Sequence, residues 1–325
     1  MNRFKSIYAP YIKEFINYKK MQGYKLKGVE YRFVPFDKLC IEREERTLGI
    51  TQELSDIYCK FRENESGKTR YYRMNFFISF SKYLNSIGIN SYVPNSVRVK
   101  NTFIPHIFTK EEMQSIFTAC DTLFKVRYPA PSAINIVPAL FRLLYGTGVR
   151  ISEALALKDR DVDTDNHHII VRNTKNGKDR MLPITESLAV VCSQYRKYRN
   201  LHLFDYTQSD YFFLKGNNTP CSNLIAYNWF RKVLEKAGIS HGGRNAGPRL
   251  HDLRHTFSVH SLMAMSEKDL DLYYSLPILS TYLGHQTIEA TEQYIRLTSE
   301  MYPQILKDVH NISGHIFPNF NDITI

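Results

Sequence analysis

Four short stretches of the chain carry side chains whose types and spacing suit chemistry on an anion. Arg150 follows a glycine break in Gly146-Thr-Gly-Val-Arg150-Ile-Ser-Glu153. A guanidinium held where a helix begins can fork two donors onto a phosphate, although the same residue can equally cap a helix or pair with Glu153. Lys175 stands one residue before Asn176-Gly177, an amine on a hairpin tip that is ordinarily left to solvent. His251 and Arg254, at i and i+3 in His251-Asp-Leu-Arg254-His255, share one helical face and can present two donors together. His251 and His255, at i and i+4, also have the spacing of a zinc pair. The residue after the first histidine is Asp252 rather than the Glu of zinc proteases, and no third ligand stands at a fixed spacing. Leu283-Gly-His285 is followed by Tyr294, which by type alone is one aromatic among 22 tyrosines.

The elements that must position these groups are mostly helical. Segments Tyr8–Gln22 and Thr69–Leu84 show apolar residues at helical spacing. Lys68, Arg70 and Arg73 gather at the start of the second, where a helix dipole disfavours cations and an approaching phosphate would favour them. Residues 93–105 lack periodicity, and Thr109-Lys-Glu-Glu112 reads as a capping box opening a second domain. An apolar helix near Ile134–Tyr145 runs into Gly146-Thr-Gly148, and Ile151–Leu157 reads as a short helix. Two β-rich runs, His168–Arg172 and Arg180–Ile184, flank the Asn-Gly turn. Helices resume from Glu186, with Gly284 ending one and Thr287 capping another over Thr287–Ile295.

Charge points to a polyanion. The chain of 325 residues has 43 Lys/Arg and 32 Asp/Glu, and residues 1–100 hold 19 of the basic and only 10 of the acidic ones. A basic N-terminal module ahead of a near-neutral one is an electrostatic grip. Five cysteines without a CxxC argue against a disulfide framework or zinc ribbon and for a reducing compartment. The charged N-terminus does not read as a signal peptide, and the most apolar stretch, interrupted by Arg142, falls short of a bilayer span. No internal repeat or low-complexity tract is present.

Taken in order, Arg150, Lys175, His251-x-x-Arg254, His285 and Tyr294 resemble the active-site signature of the tyrosine recombinase (integrase) family. GTGVRISEALAL resembles the first arginine box of that family, and HDLRHTF…LGHQTIEATEQY the second. Lys175 falls at the family's β-hairpin in a Thr-Lys-x-Gly-Lys setting, with Lys178 on the same hairpin. The resemblance covers about Thr109 to Arg296, and the basic N-terminal region resembles the core-binding domain more weakly.

The resemblance implies a mainly α fold with a small antiparallel β-sheet, arranged as a two-domain C-shaped clamp. A helical, SAM-like core-binding domain (1–97) would precede a linker (98–106) and a catalytic domain with a C-terminal tail (107–325). It implies Tyr294 as nucleophile, Arg150 and Arg254 on the phosphate oxygens, and His251 and His285 as hydrogen-bond or proton partners, with His251 preferred as acceptor. Lys175 would be the acid for the departing 5′ oxygen, and Glu153 would orient Arg150 or a neighbouring histidine. Lys68, Arg70 and Arg73 are the expected N-terminal DNA contacts. No cofactor and no metal are implied.

The implied partner is double-stranded DNA with specific core sites, bound by a chain that is monomeric in solution and forms a homo-tetramer on DNA. An amphipathic stretch around Met301–Val309 is expected to dock on a neighbouring protomer. The expected setting is cytoplasmic and nucleoid-associated, without membrane attachment, and without an extra arm-binding domain. Integration or excision of a mobile element is the favoured role. Dimer resolution by the same chemistry is the alternative, with a type IB topoisomerase, a telomere resolvase, a silent accessory protein and a zinc hydrolase behind it.

Overall fold

The computed structural model describes residues 3–24, 30–97, 104–124, 132–174, 177–202, 210–215, 217–243, 247–268, 270–292 and 294. Lys175, Asn176, residues 98–103 and everything after Tyr294, including Met301–Val309, lie outside the described residues. The chain divides into two compact units, Met1–Phe103 and Ile104–Ile325.

The first unit is built from α1 (Ala9–Met21), α2 (Glu30–Glu42), α3 (Gln52–Cys59) and α4 (Gly67–Ser86). Pro10 in the first turn of α1 has a φ already suited to a helix, and Ile12, Phe15 and Ile16 form its buried stripe. Aromatic rings dominate this core: Phe33 and Phe80 lie 5.0 Å apart, and Phe36 and Phe77 5.1 Å. α4 starts with Ser66, whose hydroxyl accepts from the Thr69 N–H at 3.1 Å.

The three basic residues at the start of α4 differ in their surroundings. Arg73 points inward, with its side chain 7% exposed and Nη2 2.6 Å from Glu65 Oε2. It also donates to the Tyr58 carbonyl and, at 3.1 Å, to that of Lys60. These bonds hold the Arg73 guanidinium inside its own unit. Arg70 is half-buried and donates Nε to the Cys59 carbonyl at 3.1 Å, whereas Lys68 is exposed. Arg73→Met should therefore cost the full-length protein about 3 kcal/mol, because Glu65 is left buried and unpaired. Urea unfolding reads that loss. Unchanged stability, with a salt dependence of DNA binding flattened by about one unit of slope, would return Arg73 to the DNA surface.

The second unit contains α5 (Lys110–Phe124), α6 (Val137–Thr147), α7 (Ile151–Ala154), a sheet of β1 (Val162–Asp163), β2 (His168–Val171) and β3 (Arg180–Pro183), then α8 (Glu186–His202), α9 (Asn223–Lys236), α10 (Asp252–Ser266) and α11 (Leu272–Leu283). Thr109 and Glu112 form the expected capping box: the Thr109 hydroxyl accepts from the Glu112 N–H at 3.1 Å, and the Glu112 carboxylate from the Thr109 N–H at 2.9 Å. Strands β2 and β3 pair antiparallel, Val171 opposite Arg180 and His168 opposite Pro183. The short β1 adds to β2, a third strand too brief to be legible as a pattern. One apolar core gathers α5, α6, α8 and α9 around Leu140, Phe141 and Phe230; a second holds Val259, Leu262, Leu279, Leu283 and Tyr294. Among the described residues no helix is long and apolar enough to cross a membrane.

Candidate active site

Gly148 delivers the first candidate residue. It closes α6 in the left-handed conformation (φ +60), its N–H donating to the Leu144 carbonyl at 2.9 Å. A Cβ there would lie 2.3 Å from the Phe257 ring, so glycine is required twice over. The chain then turns into α7 with Arg150 at its N-cap. The Glu153 carboxylate accepts from the Arg150 N–H at 3.0 Å and from Arg150 Nη1 at 2.8 Å.

Glu153 is shared with a residue that sequence reasoning missed. Arg180, at the start of β3, places Nη2 2.8 Å from Glu153 Oε2 and Nη1 3.3 Å from Oε1, and sends Nε to the Tyr282 carbonyl at 3.2 Å. Burial alone would raise the pKa of Glu153. The Arg180 hydrogen bonds, the Arg150 N–H and the Arg180 charge outweigh it and hold the carboxyl at about 2. An Arg at a strand start with a Glu far upstream offers no sequence spacing that reveals the pair.

Helix α10 contributes the next group. His251 is its N-cap and is exposed; Arg254 is 2% exposed. Arg254 donates Nη1 to the Gly148 carbonyl at 2.7 Å and Nη2 to the Leu283 carbonyl at 2.9 Å, and Nη2 also lies 2.9 Å from His285 Nε2. One guanidinium thus joins the turn before Arg150 to the turn after α11. Gly284 (φ +66) ends α11 as expected, and the His285 N–H donates to the Ser280 carbonyl at 3.0 Å. Nδ1 of His285 pairs with the Thr291 hydroxyl at 2.7 Å, which fixes the ring from both sides. Residues 289–292 and 294 are helical, and the Tyr294 ring lies 6.2 Å from that of His285 at an interplanar angle of 18°. Tyr294 is 1% exposed, seated against the leucines of the second core.

Arg150, Glu153, His251, Arg254, His285 and Tyr294 therefore converge, from sites up to 144 positions apart in the numbering. Lys68, Arg70 and Arg73 belong to the other unit. Lys175 lies outside the described residues; the hairpin stem below it is held by the Thr174 hydroxyl on the Lys178 carbonyl at 2.7 Å, and Lys178 is exposed. His251 and His255 pack ring against ring at 4.9 Å, and among the described residues no group of three or more His, Cys, Asp or Glu is placed to hold a metal.

Burial, reinforced by neighbouring charges, keeps the imidazoles neutral. Burial, then the charges of Arg254 and Arg150, push His285 down to about 4. His251 is open to solvent along one edge, but the atoms crowding the rest of its ring, then the charges of Arg254 and Arg150, push it down to about 4. Burial and then His251 bring His255 to about 3. Arg254, lowered by burial and then by Arg150 to about 10, is still a cation at neutral pH. The sign of the resulting pH dependence follows directly. The unfolded chain takes up these protons near 6.5, whereas the folded site refuses them until about 4 or below, so stability falls as pH falls through that interval. His255 alone should cost about 2 kcal/mol between about pH 7.5 and pH 5. A urea midpoint that stays flat over that range would contradict neutral, desolvated imidazoles.

This arrangement is a ring of cations and neutral imidazoles beside one phenol. The model of the phage integrase family matches residues 106–301, which takes in every one of these groups. The chain belongs to the phage integrase family. As a member it is a tyrosine-type site-specific DNA recombinase. The integrase/recombinase y4rB of Sinorhizobium fredii is 28% identical over 312 residues, covering 93% of this chain and 96% of that one. The tyrosine recombinase XerA of Pyrococcus horikoshii is 28% identical over 200 residues, 61% of this integrase and 59% of the relative. Among solved structures, the Tn1549 transposon integrase in complex with transposon right end DNA superposes with a TM-score of 0.61 at 16% identity, over 90% of this chain and 99% of that one; the likeness is one of fold.

Proposed function

We propose that this integrase cuts and rejoins DNA at a specific core sequence through a 3′-phosphotyrosine on Tyr294. The observation that carries the reading is the Arg254 guanidinium. It bridges the turn before Arg150 and the His285 ring, so two cations and a neutral imidazole are gathered into one cluster. A phosphodiester resists attack because its anionic oxygens repel a nucleophile, and fixed guanidiniums absorb the charge that develops on them.

In the forward step the Tyr294 hydroxyl gives its proton to an acceptor, for which neutral His251 is suited, and its oxygen bonds to phosphorus. The P–O5′ bond breaks, and the departing oxygen takes a proton, which Lys175 is the candidate to supply with Lys178 next. A 5′-hydroxyl from a second strand reverses the sequence. The ester bond conserves the phosphodiester energy, so strand exchange consumes no nucleotide. Because Tyr294 is 1% exposed, the short helix carrying it must shift before its hydroxyl faces a phosphate.

Exchange of two duplexes calls for a homo-tetramer of this chain and a Holliday junction, assembled from monomers on DNA. Lys68 and Arg70 remain candidates for backbone contacts by the N-terminal unit. We place the enzyme in the cytoplasm with the nucleoid, serving integration or excision of a mobile element; dimer resolution is the second reading.

The test is a pool of nicked duplexes of random sequence incubated with the full chain, then denatured. Covalent adducts should be enriched in one core sequence, and the DNA should map to the peptide containing Tyr294. Adducts spread over all sequences, with plasmid supercoils relaxed on any DNA, would favour a topoisomerase. An adduct on another residue, or none across the pool, overturns the proposal.

A further inference from the structure

Glu153 faces two guanidiniums. Its carboxylate oxygens accept from Arg150 Nη1 at 2.8 Å and from Arg180 Nη2 at 2.8 Å, while the Arg150 N–H fixes its orientation at 3.0 Å. The two arginines differ in what they leave open. Arg150 keeps a quarter of its side-chain surface exposed; Arg180 is 12% exposed and has its Nε on the Tyr282 carbonyl. The Arg180 guanidinium also lies flush against Gly284, where a Cβ would come within 3.0 Å of Nη1. One carboxylate against two guanidiniums leaves a net positive charge, and the open face belongs to Arg150.

We propose that Arg180 is a positioning residue: it takes up the Glu153 charge so that Arg150 stays cationic toward phosphate, and it ties β3 to the turn that presents His285. Without Arg180, Glu153 would hold Arg150 and quench it in the same act, because an isolated pair at this distance is charge-neutral. With Arg180, Glu153 orients Arg150 and the cluster keeps its net charge. Arg180 is also the first residue of β3, so the strand leaving the lysine-bearing hairpin is pinned to the active-site side of α11.

The inference rests on the recombinase reading, and the experiment separates the two. Adduct formation is measured under single-turnover conditions on the nicked duplex recovered from the random pool. Arg180→Met should bind that duplex within about threefold of wild type, because many phosphate contacts share its affinity, and cleave it about 100-fold more slowly, as expected when a reacting group is misplaced or neutralised. Adding Glu153→Gln to that variant removes the quenching charge and should recover about tenfold. A purely structural role gives the opposite result, since a second lost partner makes the double variant slower still. A double variant no faster than Arg180→Met overturns the proposal. Should Arg180→Met fail to fold, Arg180→Lys keeps the charge but loses the fork and should cleave about tenfold slower; a wild-type rate there overturns it equally. If wild-type protein forms no adduct at all, the recombinase reading has failed. Inorganic phosphate titrated onto the protein and followed by the His285 imidazole resonance then decides the Arg180 role alone: weaker binding in Arg180→Met supports it, and unchanged binding refutes it.

Discussion

Tyr294→Phe forms no covalent DNA adduct, yet folds and binds DNA like the unaltered protein. The ring stays where it is, because Phe keeps the aromatic body that packs among Val259, Leu262, Leu279 and Leu283 and against the His255 ring at 5.6 Å. Loss of one hydroxyl costs about 1 kcal/mol of stability. The chemical loss is of a different order. Phenylalanine offers no atom to bond phosphorus, so the rate of adduct formation drops by at least about 10⁴. The two readouts together are decisive: the melting temperature reports packing, and the denaturing gel reports chemistry. An adduct that persists in the Phe variant would move the nucleophile to another of the tyrosines.

Arg254 should show the second-largest effect, and on both readouts at once. Three of its donors are engaged by the Gly148 carbonyl, the Leu283 carbonyl and His285 Nε2, and it is 2% exposed. Arg254→Lys retains a charge but cannot reach both carbonyls and the imidazole from one nitrogen, since an ammonium lacks the planar fork. Cleavage should slow by about 10³, the usual cost of losing a fixed donor to a developing oxyanion. Arg254→Met leaves those buried acceptors empty and should also lower stability by about 3 kcal/mol. A lysine variant that cleaves within about tenfold of wild type would show that phosphate charge is absorbed elsewhere, with Arg150 the nearest alternative.

Arg73 and Arg180 show where reading the sequence stops. Both are arginines beside other polar residues, and sequence spacing assigned Arg73 to the DNA surface while passing over Arg180. Solvent exposure separates them from their neighbours, and exposure depends on partners distant in the chain. Glu65 turns Arg73 inward across eight positions, and Glu153 recruits Arg180 across 27. Local pattern carries no record of either pairing.

Some features were fixed by local chemistry alone. The Thr109 capping box, the left-handed Gly148 and Gly284, the antiparallel hairpin and the helical spacing of α1, α4 and α10 follow from dihedral limits and apolar period, which act over a few residues. The order of Arg150, His251, Arg254, His285 and Tyr294 was likewise legible, enough to name a family. What only the folded chain decided is which of these groups touch: that Arg254 spans Gly148, Leu283 and His285, that Glu153 is shared by two arginines, and that Tyr294 waits among leucines. Those outcomes depend on long-range packing, in which a buried charge settles only where another part of the chain brings its partner.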